Sequence, residues 1–200
     1  MTTEEKIKKA AKTVFHTKGY AATTTRDIAK EANLNLALIN YYFRSKEKLF
    51  EIIMLESMMN FMQSLISVFN DPNTSLKEKT KLISGNYINL LSNEPDLPLF
   101  ILSELRTGGL IKLLSTMGLN QMMRNSIFYK QIEEEIQEGK IKNEDPMQYI
   151  MNIISLSVFP FIANPMLKLM GGMDDKDFNK KMEERKKWIP KWIKNMNEKN

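Results

Sequence analysis

The sequence predicts an all-α protein: a three-helix head at the N-terminus carried on a larger helical body. Three observations support this. Apolar residues recur at three- and four-residue spacing along most of the chain, and no stretch shows strand-like alternation. Thr, Asn and Ser stand just ahead of several of these segments, where helix caps belong. Breakers fall between them, at Gly19, Asp71-Pro72-Asn73, Gly108-Gly109, Gly139 and Gly171-Gly172. Neither an internal repeat nor a low-complexity segment is present.

The first helix covers about 4–18, with Ile7, Ala10, Ala11, Val14 and Phe15 on one face, and Gly19 ends it. Thr24 caps a second helix, and Asp27 three residues on completes a capping box with a short acid. Ile28 and Ala29 face inward, and Asn33 suits a left-handed terminus. Asn35 caps the third helix. Ile39 and Phe43, one turn apart, form its core side, so Leu36, Ala37, Asn40 and Tyr41 lie opposite. Ser45 caps a fourth helix that reaches about Phe69 and is apolar over more than half its girth, as a helix buried between neighbours would be. Further helices are expected at about 76–91, 97–106, 119–138 and 146–163, with a last one from about Asp174.

Two short helices joined by a three-residue turn are how a helix-turn-helix, here about 24–43, offers one helix to the major groove of DNA. Charge agrees. Residues 1–50 hold ten Lys/Arg and five Asp/Glu, while residues 51–200 hold nineteen of each, so the whole net charge of +5 sits on the head. A few lysines on a solvated helix would give the same count; charge and motif together point to phosphate neutralisation.

An apolar fraction of 42% is enough for a core, and 26% charged residues fit a soluble chain. The absence of cysteine excludes disulfides, thiolate metal sites and thiol nucleophiles, and fits a reducing compartment. Met-Thr-Thr-Glu-Glu does not read as a signal peptide. Residues 146–167 carry no charge and are long enough to span a bilayer. Gln148, Asn152 and Ser155 at helical spacing, with Pro160 and Pro165, suit a protein interface better. His16, the single histidine, reads as a surface or packing residue rather than a zinc ligand, and Glu133-Glu134-Glu135 as a solvated face. With no nucleophile motif, phosphate-binding Gly loop or convergent carboxylate pair, no enzyme, metal site or cofactor is expected.

Residues 7–50 resemble the N-terminal domain of the tetracycline-repressor (TetR) family of bacterial regulators. Gly19, Tyr20, Thr23, Thr24, Ile28 and Ala29 meet the first part of the pattern, and Tyr41, Tyr42, Phe43, Arg44, Ser45, Lys46, Leu49 and Phe50 the second. The resemblance implies a helix-turn-helix DNA-binding domain over 1–46 and an effector-binding and dimerisation domain over 47–200. It further implies a cytoplasmic, nucleoid-associated homodimer on a palindromic duplex operator, most simply a repressor, released by a small molecule. By position, the implied DNA-facing residues are Thr25, Asn35, Leu36, Ala37, Leu38, Asn40, Tyr41 and Lys46. Thr25 and Lys46 stand at helix N-termini, which receive phosphates well, and the Tyr41 hydroxyl suits another. Leu36 and Ala37 replace the family's frequent Lys-Gly, and Asn40 a frequent aromatic. This leaves apolar contact suited to thymine methyls and one amide able to read adenine.

Fifteen methionines, with Phe61, Tyr87, Phe100 and Phe128, crowd the central helices. They suit plain core, and equally a pocket for an apolar or aromatic effector, with Met62, Tyr87, Phe100 and Met122 as candidate wall residues. The segment 146–163 and the last helix are the expected dimer surface, and a charge at Ile153 or Leu156 is expected to split it. Lys186-Lys187-Trp188-Ile189-Pro190-Lys191-Trp192-Ile193-Lys194 also has the composition of a membrane-surface helix. A membrane-associated carrier of apolar molecules is therefore the alternative, although Pro190 and a simple packed-and-solvated helix argue against it.

Overall fold

The structure, a computed structural model, describes residues 1–142 and 145–197, and within them the chain forms helices and no strand. The head is α1 (Thr3–Ala22), α2 (Thr25–Ala32) and α3 (Leu36–Phe43). Its boundaries have local causes. Gly19, at φ 73°, breaks the α1 ladder, because a positive φ suits a residue without a Cβ. The Thr24 hydroxyl accepts from the Asp27 N–H at 3.2 Å while Asp27 Oδ2 accepts from the Thr24 N–H at 2.9 Å, so the capping box closes with aspartate. Asn33 ends α2 in the left-handed region, at φ 52° and ψ 47°. Asn35 Oδ1 accepts from the Ala37 N–H at 2.9 Å and opens α3.

The body comprises α4 (Lys46–Phe69), α5 (Leu76–Asn93), α6 (Leu97–Thr107), α7 (Gly109–Thr116), α8 (Leu119–Asn125), α9 (Ile127–Gln137), α10 (Pro146–Ile162), α11 (Asn164–Gly171) and α12 (Asp175–Asn197). Ser45 caps α4 by accepting from the Lys48 N–H at 3.2 Å. This helix serves both cores: Leu49, Ile53 and Met54 in the head, Leu65 and Phe69 in the body. The centre of the body is α5, packed by α4, α9, α10 and α12. Phe69 stacks on Phe128 with centroids 5.2 Å apart. Lys79 on α5 is fully buried, and its Nζ donates to Asp71 O, Thr74 O and Thr74 Oγ1 at 2.6, 2.7 and 2.8 Å, fastening the α4–α5 link.

Two expectations need correction, and two others gain detail. The helix over 119–138 is two, because Ser126 is extended (ψ 150°) and its hydroxyl accepts from the Tyr129 N–H at 3.1 Å to start α9. Gly108 is the expected breaker, ending α6 at φ 81°, but α7, which was not among the expected helices, begins at once. The uncharged 146–167 stretch bends by 73° between α10 and α11, with Pro165 in the first turn of the new helix, where a missing N–H is tolerated. Ile153 is 1% exposed, and Leu156 packs on the same body core, so a charge there strikes the core. The exposed side of α10 is Met147, Met151, Ile154 and Phe159, of which Ile154 and Phe159 also border a cavity.

Pro160 lies inside α10 and cannot donate to Leu156 O one turn back. Arg185 of α12 fills that vacancy, its Nη2 donating to Leu156 O at 2.7 Å while its guanidinium lies 5.0 Å from the Trp192 ring centroid. Ile189 and Ile193 of α12 are fully buried in the body core and Trp188 is half-exposed, so the Trp/Lys stretch has one packed and one outward face. By length and composition α4 could cross a membrane, but here it packs against α1, α5 and α9.

Candidate nucleic-acid interface and body cavity

Burial of Ile39 and Phe43 (1% and 2% exposed) fixes the rotation of α3. Asn35, Ala37, Asn40 and Tyr41 are then exposed, Tyr41 by 79%, while Leu36 and Leu38 are half-buried at the edges of that face. Thr25, half-buried, is the first residue of α2. Lys46 is engaged from within: its Nζ donates to Tyr20 O and Thr23 O, both at 3.0 Å, and stands 4.2 Å from the Tyr20 ring centroid. An ammonium has three donors, so one remains. Lys18, at 2.7 Å, and the Thr24 cap hold the Asp27 carboxyl well below the usual aspartate range.

Sequence reasoning matched Arg44 to the family pattern but did not place it among the DNA-facing residues. It follows α3 directly, is exposed, and adopts φ 64° and ψ −45°, bridged by a Ser45 N–H to Phe43 O bond of 2.7 Å. That is a γ-turn of the strained, positive-φ kind, costing about 1–3 kcal/mol. Its basic charge between a buried Phe and a capping Ser was the available signal.

The head is seated on the body through specific contacts. The Phe50 ring meets Phe15, Tyr20 and Phe100 with centroids 5.1, 4.4 and 5.9 Å away. Lys12 Nζ donates to Ser57 Oγ at 3.0 Å, and Ser57 donates to Glu94 Oε1 at 2.9 Å. Lys8 pairs with Glu56 at 2.6 Å. Asp96, at the start of α6, accepts from the Tyr20 N–H.

A cavity of about 510 Å³ lies among α4, α5, α6, α7 and α10. Met58, Phe61 and Met62 of α4 face Tyr87 of α5, Leu102 of α6 and Val158 of α10 across it. No carboxylate, ammonium, guanidinium or imidazole lines it. Of the residues expected in a pocket wall, Met62 and Tyr87 line this cavity. Met122 joins Met62 in a smaller one of about 130 Å³, and Phe100 sits in the aromatic joint between head and body. Burial pushes the Tyr87 phenol up to about 12. Among the described residues, no group of three His, Cys, Asp or Glu side chains could hold a metal ion.

A capped helix pair turning one polar face outward from a basic head, on a body with its own cavity, is the build of a helix-turn-helix transcriptional regulator. Residues 7–53 match the family described as "Bacterial regulatory proteins, tetR family". The "Probable HTH-type transcriptional regulator YttP" of Bacillus subtilis (strain 168) is 26% identical over 163 residues, which are 81% of this chain and 78% of that protein. The fold is similar to a TetR transcription regulator from Haloarcula marismortui (TM-score 0.63, 19% identity, 98% of each chain covered). It is also similar to a TetR/AcrR-family regulator from Thermobifida fusca (TM-score 0.64, 16% identity, 94% of this chain and 96% of that one). Residues 7–53 thus form a tetR-family domain, and over most of its length the chain is similar to a DNA-binding transcriptional regulator.

Proposed function

We propose that the chain is a cytoplasmic, nucleoid-associated repressor that binds a palindromic operator as a homodimer and leaves it when an apolar or aromatic molecule enters the body cavity. Residues 1–46 are the DNA-binding domain and 47–200 the effector and dimer domain, of which the structure describes all but 143, 144 and 198–200. The observation that carries this reading is the course of α4. Its first turn holds the α1–α2 joint through Lys46, and further along Met58, Phe61 and Met62 form a wall of the cavity. A rigid helix shared in this way lets cavity occupancy change the spacing of two heads. A tenfold loss of DNA affinity needs about 1.4 kcal/mol of coupling.

On DNA, Asn35, Leu36, Ala37, Leu38 and Asn40 face the major groove, with Thr25, Tyr41 and Lys46 toward phosphates. Arg44 joins the phosphate contacts. The outward side of α10, with Leu169 and Met170 of α11, supplies the self-complementary dimer face. A gel shift on the DNA upstream of its own gene, across a salt series and with hydrophobic metabolites titrated in, tests the reading. Salt-independent binding, or tight ligands that leave operator affinity unchanged, would overturn it.

A further inference from the structure

The Tyr87 ring is fixed in the cavity wall by Phe61, edge to face with centroids 4.7 Å apart. Its hydroxyl makes no hydrogen bond among the described residues. The only other lining residue with a polar side chain is Ser155, and its hydroxyl already donates to Asn152 O within α10. Tyr87 therefore presents the one unmatched hydrogen-bonding group in a wall otherwise made of Met, Leu, Ile, Val, Phe and Pro carbons. A hydroxyl set among apolar carbons without a protein partner is poorly solvated, and an occupant supplying an acceptor satisfies it.

We infer that the cavity selects an uncharged hydrophobic molecule carrying a single carbonyl-type acceptor, which receives a hydrogen bond from the Tyr87 hydroxyl. Tyr87 is the specificity-determining residue of the site. Two physical constraints define this class. An ionised group has no counter-charge in this wall, so carboxylates and amines are excluded by desolvation. A pure hydrocarbon fills the space but leaves Tyr87 unpaired, so it binds more weakly than its oxygenated analogue. The inference rests on reading this cavity as the effector site, but ligand choice and operator release are separate measurements.

The test uses three probes of one shape: benzophenone, diphenylmethane, which has a methylene in place of the carbonyl, and 4-benzoylbenzoate, which adds a charge. Calorimetry on the full-length protein should rank them in that order, with benzophenone about five- to tenfold tighter than diphenylmethane, the range expected of one neutral hydrogen bond. Tyr87→Phe should erase that preference and leave diphenylmethane affinity unchanged; an unaltered melting temperature checks that the variant is folded. Irradiating the benzophenone complex should label Met58 or Met62, located by mass spectrometry. Equal affinity for the two neutral probes, a preference that survives Tyr87→Phe, tighter binding of the charged probe, labelling elsewhere, or no binding would each overturn the inference. If the carbonyl preference holds and disappears in Tyr87→Phe while operator affinity ignores the probe, the recognition stands and the effector reading fails.

Discussion

The Tyr20 amide N–H donates to Asp96 Oδ2 at 3.0 Å, joining the end of the first head helix to the start of α6. Asp96 occupies the cap position of α6 yet its side chain makes no cap bond to that helix, because its carboxylate is turned toward the head. Pro98, Ile101, Leu102 and Leu105 of the same helix line the cavity. A displaced α6 would therefore pull directly on the head, in addition to any movement of α4.

Asp96→Ala orphans the Tyr20 amide and should cost about 1–2 kcal/mol. Hydrogen exchange should show faster exchange at Tyr20, with Asp96→Asn close to wild type because an amide oxygen still accepts. Unchanged protection in Asp96→Ala would show that this contact does not hold the joint.

Lys46→Ala should have two signatures. Losing the bonds to Tyr20 O and Thr23 O lowers the melting temperature, at about 1 kcal/mol. Losing the remaining donor removes one phosphate contact, reducing the slope of log affinity against log salt by about one. A lower melting temperature with an unchanged slope would assign Lys46 to the joint alone.

Asn40 stands exposed on α3 beside small and apolar neighbours, so readout should favour A·T pairs beneath it. Asn40→Ala should relax one operator position at a cost of about 1–3 kcal/mol for a bidentate contact. An equal loss on every sequence would place Asn40 on a phosphate instead.

Asp27→Asn probes the α2 cap through pH. Lys18 and Thr24 depress the folded carboxyl, so its stabilisation is present above the ordinary aspartate value of about 3.9 and is lost as pH falls below it. Near neutrality the variant should melt below wild type, and the gap should close in acid. A gap independent of pH would mean the charge does not contribute.

Two adjacent residues of α10 should behave oppositely. Ile154→Glu places a charge on the exposed side, at the edge of the cavity, and should leave a folded monomer by sedimentation, whereas Ile153→Glu buries a charge and should unfold the body. Retention of the dimer by Ile154→Glu would relocate the interface.

The head was legible because its punctuation is local. Thr24 with Asp27, Asn33, Asn35 and Ser45 each act within three residues, and each does what its type and position imply. The body was less so. Ser126 starts a helix inside an unbroken apolar pattern, and that pattern hides the start. Ile153 and Ile154 are alike in sequence, and only the packing of α5 and α12 against α10 decides which faces inward. Phe100 has an inward position on α6, but whether it meets a cavity or Phe50 depends on a residue fifty positions away. Arg44 met the family pattern, but its strained turn is a property of two joined helices, not of either alone.

Lys79 gives the body an internal chemical seal. Its amine is wholly enclosed and all three donors are engaged by the α4–α5 link. To an acetylating enzyme or an amine-reactive reagent this lysine is absent while the link stays closed. Modification of it, unlike that of the exposed lysines of the head, would record how often the body opens.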